Sequence, residues 1–320
     1  MQLDRTEIEI RQRSALELLD LSLRVFNRHW ARLILAGALQ GLPMMVLNLS
    51  LIGWMLSDES ILIADGQIDP MTAVGSRYLA HLIVLFCSQL PLMFLPVTLL
   101  LGAQVFYQPL TTGQLLAQVR RLWIPVIGIL GFLRLGLVPL LMEPLVDRSV
   151  EFDATTEVLT LFVFFPLALF TRTFWPYAPE IIVLERCPLR SKQVGTVNYS
   201  ARRQMLHGSM VAENLVYFLQ AALFGGLLVA MLMGSTLFVQ AMLTGSWQLN
   251  WGMYVIAFPA CLWLVGIFMS VFRFLTYIDT RIRLEGWEID LIMRAEGQRL
   301  LDTMQPTSGR QLSTEGASTA

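Results

Sequence analysis

The chain alternates long apolar runs with short charged blocks. The hydrocarbon core of a membrane is about 30 Å thick, and a helix needs about 20 apolar residues to cross it. The length of the runs, their Leu and Ala content and the absence of two-residue alternation favour helices over strands. We therefore predict an all-α, polytopic integral membrane bundle with six transmembrane helices, at Leu33–Leu56, Tyr78–Leu101, Trp123–Met142, Val158–Tyr177, Val211–Leu237 and Trp251–Thr276. The fourth span could continue to Leu184.

The composition agrees with a membrane protein and excludes some other classes. Hydrophobic residues make up 55% of the 320 residues and charged residues only 15%, whereas a soluble domain carries about 25% charged residues. The net charge of −1 gives no basic bias that would indicate a nucleic-acid partner. The three cysteines form no disulfide framework and no metal set, so no cofactor or metal is predicted.

The distribution of charge predicts an orientation. Most Lys and Arg lie before span one, between spans two and three, between spans four and five, and after span six. Because basic loops mark the cytoplasmic side, both termini are predicted to be cytoplasmic in a multi-pass protein of the plasma (inner) membrane. The predicted division is a cytoplasmic N-terminal segment (1–32), the six-span domain (33–276), a cytoplasmic amphipathic segment (277–302) and a disordered tail (303–320).

Amphipathic segments precede the first, third and fifth spans. In the first, Ser14 with Glu17 three residues later forms a plausible capping box, and Thr111 with Gln114 forms another in the second segment. Such helices are expected to lie in the cytoplasmic interface and to contact anionic lipid headgroups. The chain can be described as three units of an interfacial helix and a hairpin, although we favour the ordinary basic character of cytoplasmic loops as the explanation of the pattern.

Three stretches open, divide and close the chain: "SALELLDLSLRVFNRHWARL", "PEIIVLERCPLRSKQVGTVNYSARR" and "YIDTRIRLEGWEIDL". They resemble bacterial multi-span membrane proteins related to the membrane domain of glycerophosphoryl diester phosphodiesterases. The resemblance implies a stand-alone membrane domain. It does not imply phosphodiesterase activity, because that chemistry belongs to a separate soluble barrel domain for which this sequence has no room.

Ionisable residues within spans are candidates for function, because a charge in hydrocarbon costs at least a few kcal/mol. Arg134 lies eleven residues into span three. It could face the bundle in a ligand or ion path. The alternative, which we favour at this stage, is an arginine in a structural ion pair or one that snorkels towards Glu143 or Asp147 on the outer side.

A second polar group is predicted around the end of span four. Arg172 and Glu180 are eight residues apart and would share one face of a continuous helix. Pro176 and Pro179 lie between or beside them and could break that helix. The two residues could form a polar pocket that opens to the cytoplasm, or they could equally well anchor a loop. Glu213, at the start of span five, could join the group or simply face the cytoplasm.

The stretch after span six is predicted to dock against the loop between spans four and five. Asp279 and Arg283 are four residues apart, a spacing that favours pairing on a helix, and Gly286 is a plausible helix end. Arg273 is a further basic residue at this span end. The predicted docking residues are charged members of the two segments: Glu185, Arg202, Asp279, Arg281, Arg283 and Glu285.

These features predict a non-enzymatic integral membrane protein that is a scaffold or accessory subunit of a membrane complex and binds another membrane or cytoplasmic protein. The alternative is a small transporter or lipid-handling permease that uses polar residues inside the bundle. A membrane-embedded lipid enzyme is a third hypothesis, with only a loose set of Glu180, Glu185 and His207 to support it.

Overall fold

The chain folds as an all-helical membrane bundle. The computed structural model describes residues 13–56, 70–105, 110–147, 155–188, 197–208, 210–247 and 249–286. Within these ranges there is no strand, and five helices are long and apolar enough to cross a membrane, or six if one bent pair counts as a span. The predicted fold class is therefore confirmed. The predicted N-terminal segment up to residue 12, the amphipathic segment beyond Gly286 and the tail lie outside these ranges.

Helix α1 (Ala15–Ile52) joins the predicted interfacial helix to span one. The Ser14 backbone N–H donates to Glu17 Oε2 at 3.0 Å and the Ser14 hydroxyl accepts from the Glu17 backbone N–H, so the capping box is confirmed. His29 has φ −118° and ψ 15°, which is not helical and bends α1 at this point. The amphipathic part and the span are thus one helix with a kink.

Helices α2 (Pro70–Met93) and α3 (Leu95–Val105) form the centre of the bundle. Over Gly75–Val105 they make one candidate span, and 83% of its most apolar window is buried. Phe94, at their junction, is fully buried. Gly266 of the last helix approaches it so closely that a Cβ there would lie 2.4 Å from the Phe94 ring. A glycine is needed at this contact.

The third predicted span enters the bundle at an angle. Helix α4 (Thr112–Arg121) starts with the predicted capping box, in which Thr111 and Gln114 cap each other. Helix α5 (Trp123–Val126) follows and continues as a π-helix over Ile127–Leu133. The bend between α4 and this second segment is 62°, so α4 does not extend the axis of the span.

The same span is interrupted in its middle, and the prediction of one continuous helix over Trp123–Met142 was wrong. Helical geometry stops at Arg134 and resumes in α6 (Val138–Met142), and Leu135 has φ 56°. Gly136 packs so tightly that a Cβ would lie 2.3 Å from the Leu130 carbonyl oxygen and 3.2 Å from the Ser88 carbonyl oxygen of α2. The break is stabilised by tertiary packing that the apolar pattern does not encode. A short 3-10 turn, Glu143–Leu145, follows.

The fourth span also ends in a break. It comprises α7 (Thr156–Val158), a π-helix over Leu159–Phe164 and α8 (Phe165–Phe174). Non-helical residues follow at Trp175, and the chain resumes as α9 (Ala178–Glu180) and a π-helical turn over Ile181–Glu185. Pro176 has no N–H to donate to the carbonyl four residues before it, which explains the break.

The last elements form an exposed edge and a packed interior helix. Helix α10 (Tyr199–His207) is short, and α11 (Val211–Thr244) has only 6% of its most apolar window buried. A π-helical turn over Met253–Ala257 leads into α12 (Phe258–Glu285), which packs along α1 and ends at Gly286 with φ 63°. The predicted stop at Gly286 is confirmed. We call the end of the bundle where α1 starts and α12 finishes the proximal end, and the other the distal end.

Candidate functional site

A buried ion pair lies where α12 passes the break after span four. Glu180 is fully buried, and its Oε1 accepts a hydrogen bond from Arg273 Nε at 2.8 Å. Arg273 Nη2 also donates to Thr98 Oγ1 of α3 at 3.1 Å. The second carboxylate oxygen of Glu180 has no hydrogen-bond partner within the described ranges. This pair connects three separate helical elements.

Arg134 is also inside the bundle and next to this pair. Its side chain is 4% exposed, at the break of span three, and lies within electrostatic range of Glu180 and Arg273. Nε and Nη1 of Arg134 have no hydrogen-bond partner among the described residues. The prediction that Arg134 snorkels towards Glu143 was wrong, because the backbone break turns this residue into the bundle.

Arg172 belongs to the same region but does not pair with Glu180. Its Nη2 donates to the Ser88 carbonyl oxygen at 2.6 Å, and it lies within electrostatic range of Arg134 and Arg273. The predicted common helical face of Arg172 and Glu180 does not form, because the helix stops between them. We call Arg134, Arg172, Glu180 and Arg273 the interior cluster.

Glu213 does not join the interior cluster, which was one of its two predicted positions. Its side chain is 47% exposed, and its Oε2 lies 3.4 Å from Arg283 Nη1. It is in the first turn of α11, at the proximal end. Its place in the fold is therefore the edge of the bundle.

The interior cluster contains more positive than negative charge. Three guanidinium groups stand against one carboxylate. Burying a charge in a low-dielectric interior is unfavourable unless the charge is paired and hydrogen-bonded. Within the described ranges, nitrogen atoms of Arg134 and one oxygen of Glu180 lack partners. The arrangement can bind an anion with oxygen acceptors, which would both balance charge and accept from Arg134.

The predicted docking residues meet in a second cluster at the proximal end. Arg202 Nη2 donates to Glu185 Oε1 at 2.8 Å and also contacts Glu285. Tyr277 donates its hydroxyl to the same Glu185 oxygen at 2.7 Å, and Arg281 Nη2 donates to Glu285 Oε2 at 2.7 Å. The hydrogen bonds to Glu185 raise the pKa of Arg202 above its usual value. These side chains thus join the π-helical turn Ile181–Glu185 to α10 and α12. A role in binding a partner stays a prediction.

The end of α12 also contacts the start of α1. Asp279 Oδ1 accepts from the Arg13 backbone N–H at 2.9 Å, and Arg283 Nη2 donates to the Arg13 carbonyl oxygen at 2.6 Å. Arg283 Nε lies 2.7 Å from Asp279 Oδ2, which confirms the predicted pairing of these two residues. Asp279 and Arg283 therefore fix the first residues of α1 against α12.

A third charged cluster, at the distal end, was missed by sequence reasoning. His81 Nδ1 lies 2.7 Å from Glu143 Oε1 and His81 Nε2 lies 3.7 Å from Glu157 Oε2. Arg77 contacts Glu157 from the preceding turn of α2. His81, Glu143 and Glu157 are all buried. The only sequence signal was the four-residue spacing of Arg77 and His81, since the two glutamates come from a distant hairpin.

No metal site emerges from these groups. In the part of the chain that the structure describes, no set of three or more His, Cys, Asp or Glu side chains is placed to hold a metal ion. In each cluster at least one carboxylate contacts an Arg side chain.

His207, at the end of α10, packs against the break after span four. Its ring stacks on Tyr177 with centroids 5.3 Å apart, Nδ1 lies 2.7 Å from the Arg203 carbonyl oxygen, and Nε2 accepts from the Tyr177 N–H at 3.3 Å. These contacts suit a neutral ring with its proton on Nδ1. Burial lowers the pKa of His207 to about 4.

We expect His207 to make the protein sensitive to acid. In the unfolded chain the ring takes up a proton near its ordinary pKa of 6.5, whereas in the folded protein it stays neutral down to about pH 4. The free energy of unfolding therefore has its full value, as far as His207 is concerned, above pH 6.5. It decreases by about 3 kcal/mol as the pH falls from 6.5 towards 4. Unfolding in detergent, followed from pH 4 to pH 8, measures this loss. The His207→Asn variant should show a smaller pH dependence in this window, and an unchanged slope would contradict the prediction.

Comparisons with known proteins identify no relative. No family model matches the sequence, and neither a curated protein nor a solved structure matches it. The resemblance to the phosphodiesterase-related membrane domains stays a prediction. What is known of this chain is thus its multi-pass, all-helical architecture and the three charged clusters.

Proposed function

We propose that this chain is a lipid-handling permease, which holds an anionic group inside its bundle and carries out no chemical conversion of it. The observation that supports the proposal is the buried side chain of Arg134, whose Nε and Nη1 atoms have no hydrogen-bond partner among the described residues. Leaving a buried donor unsatisfied costs about 1–3 kcal/mol, and more for a charged group. An anionic ligand removes this penalty when it binds.

The choice of an anion follows from the excess of arginine. Guanidinium groups present planar arrays of donors that match carboxylate and phosphate oxygens. Glu180 already accepts from Arg273, so it does not neutralise Arg134 and Arg172 as well. A singly or doubly charged oxyanion would complete the cluster.

The backbone around the cluster supports a transport function. Spans three and four are both interrupted beside the charged residues, at Arg134 and at Trp175. Interrupted helices with polar groups at the break are typical of substrate sites in membrane transporters. Non-helical backbone at membrane depth is tolerated where it is buried in protein or lines a cavity.

The orientation of the protein is part of the proposal. Basic residues of the described chain gather at the proximal end, and they include Arg13, Arg24, Arg28, Arg120, Arg121, Arg186, Arg202, Arg203, Arg281 and Arg283. By the positive-inside rule this end faces the cytoplasm of a cell whose plasma membrane holds the chain. Labelling of single cysteines at the two ends by an impermeant thiol reagent in intact cells tests this assignment.

The Arg134→Gln variant tests the interior site. We expect dihexanoyl phosphatidic acid to raise the midpoint of thermal unfolding of the detergent-solubilised protein, because its phosphate pairs with the interior cluster. The zwitterionic dihexanoyl phosphatidylcholine should give a much smaller shift. In Arg134→Gln the shift with phosphatidic acid should fall to the level of phosphatidylcholine.

The matched control is Arg186→Gln, which removes an arginine that is exposed at the proximal end and bonds only weakly to Gln118 at 3.2 Å. This variant should keep the full shift. An equal response of wild type and Arg134→Gln to phosphatidic acid would refute an anion site at Arg134.

A second candidate function, an accessory subunit of a membrane complex, is favoured by the exposure of α11. This helix has 34 residues, yet the remainder of the bundle covers little of it. Leu219, Leu223 and Leu227 lie on its exposed surface. A helix of another membrane protein would fit there as well as lipid does.

Photocrosslinking distinguishes a protein subunit from lipid on the exposed surface of α11. A photoreactive residue at Leu223 should give a discrete protein adduct in native membranes if a subunit covers the helix. The same residue at Leu116 of α4, which is also exposed, serves as the control. Lipid adducts alone at Leu223 would rule out a stable subunit on this surface.

A further inference from the structure

A groove opens at the proximal end between three helices. It has a volume of about 560 Å³ and lies between the first half of α1, the end of α3 and the second half of α12. Pockets that hold small molecules have volumes of about 300–1,000 Å³. The groove is therefore large enough for a lipid headgroup with its glycerol backbone.

The two walls of the groove differ in chemistry. The α1 wall carries charged side chains at successive turns, Asp20, Arg24 and Arg28, together with His29 at the kink. The opposite wall is formed by apolar side chains of α3 and α12: Leu101, Val105, Phe274 and Leu275. A ligand that fits both walls must have a charged part and an apolar part.

Gln104 lies in the apolar wall and supplies the polar group there. Its amide nitrogen and its amide oxygen are both shielded from solvent and have no hydrogen-bond partner among the described residues. A buried amide without a partner is unfavourable by about 1–3 kcal/mol. Since Gln104 lines the groove, a ligand there can accept from the amide N–H and donate to its oxygen.

The groove lies at the level expected for lipid headgroups. Counted from Met253 at the distal start of the last span, the hydrocarbon core of about 30 Å takes up about 20 residues of helix at 1.5 Å per residue. This places its proximal limit near Arg273, just before Phe274 and Leu275 in the groove. The exposed Trp30, next to the kink of α1, suits the same interface.

From these observations we propose that the groove binds the phosphate-bearing headgroup of a membrane phospholipid. The phosphate oxygens accept from Arg24 and Arg28, and the ester oxygens of the glycerol region accept from the Gln104 amide N–H. The upper acyl chain packs on Phe274 and Leu275. Arg24 is paired with Asp20 at 2.7 Å, but both side chains are mostly exposed, and such a surface pair is weak enough to rearrange. The mixed charge of the α1 wall also suits a headgroup that carries an amine.

The groove is a second site and does not depend on the interior cluster. None of Arg134, Arg172, Glu180 or Arg273 lines it. The two sites nevertheless share a wall, since Thr98 of α3 bonds Arg273 and lies about 9 Å along the helix from Gln104 at 1.5 Å per residue. A lipid in the groove would therefore be next to the interior site.

Native mass spectrometry of the full chain tests this proposal. The protein is reconstituted into nanodiscs that contain either dioleoyl phosphatidylglycerol or dioleoylglycerol as the guest lipid, and is then released into mild detergent. We expect the wild type to retain the phosphatidylglycerol and not dioleoylglycerol, which lacks the phosphate. Gln104→Leu, and separately the double variant Arg24→Gln/Arg28→Gln, should each weaken retention about ten-fold, as expected for the loss of a hydrogen bond to a charged group.

The matched control is Arg120→Gln/Arg121→Gln, which removes two exposed arginines of α4 at the same end of the bundle, outside the groove. It should retain phosphatidylglycerol as the wild type does. The leucine side chain is close in size to glutamine. Circular dichroism checks that the Gln104→Leu protein keeps its helix content. Unchanged retention in both groove variants, or equal loss in the α4 control, would overturn the proposal.

The experiment also separates this site from the interior one. The groove variants should still show the rise in the midpoint of thermal unfolding with dihexanoyl phosphatidic acid. Arg134→Gln should still retain phosphatidylglycerol as the wild type does. Loss of both readouts in Gln104→Leu would show that the groove is not an independent site and would overturn the proposal as stated.

Discussion

Replacing Arg273 by Met is expected to destabilise the protein by about 3–5 kcal/mol, the range for breaking one partner of a buried ion pair. Glu180 is fully buried and would lose its donor at 2.8 Å. The bond from Arg273 to Thr98 would be lost as well. Unfolding in mixed micelles with increasing sodium dodecyl sulfate, followed by circular dichroism, gives the change in the free energy of unfolding.

A double variant separates the loss of charge pairing from the loss of packing. In Arg273→Met/Glu180→Gln the buried carboxylate is gone, and most of the stability should return. The Arg24→Met variant removes an exposed pair and should change stability by less than about 1 kcal/mol. If Arg273→Met were as mild as Arg24→Met, the pair would not hold α9 against α12.

The second large effect is expected at the distal end. His81→Leu leaves the carboxylate of Glu143, which is also buried, without its partner at 2.7 Å. It also removes the ring nitrogen that lies 3.7 Å from Glu157 Oε2. We expect a loss of about 3 kcal/mol or more in the free energy of unfolding, measured by the same titration.

The compensating variant is Glu143→Leu in the His81→Leu background. Because an apolar pair of similar volume can replace a buried ionic pair at little cost, the double variant should be more stable than His81→Leu alone. Equal stability of the two would mean that the His81–Glu143 contact contributes nothing to the distal cluster. Arg77 and Glu157 remain in both variants and keep their own contact.

Local features of the structure were predictable because they depend on neighbours in sequence. The capping boxes at Ser14 and Thr111 use residues three apart, and the Asp279–Arg283 pair uses residues four apart. Gly286 ends α12 because glycine adopts positive φ without strain. Such contacts are fixed by helix geometry alone, so the printed sequence is enough to find them.

The interior cluster was only partly predictable. The sequence indicates Arg134 and Glu180 as candidates because charges within apolar runs are rare, but the contacts predicted for them were wrong. The partner of Glu180 is Arg273, 93 residues away along the chain, and the sequence showed Arg273 only as one more basic residue at a span end. Nothing in the apolar pattern marks the break at Arg134, because it depends on the close approach of Gly136 to its neighbours.

By itself, the sequence determined that this is a multi-pass helical membrane protein, since the need to bury backbone polar groups in hydrocarbon leaves few folds for long apolar runs. It also determined the helix caps and the local ion pairs. Only the tertiary structure decided which buried charges meet, where spans three and four break, and that a groove forms between α1, α3 and α12. These depend on contacts between segments far apart in the chain, whose geometry is set by side-chain packing rather than by periodicity.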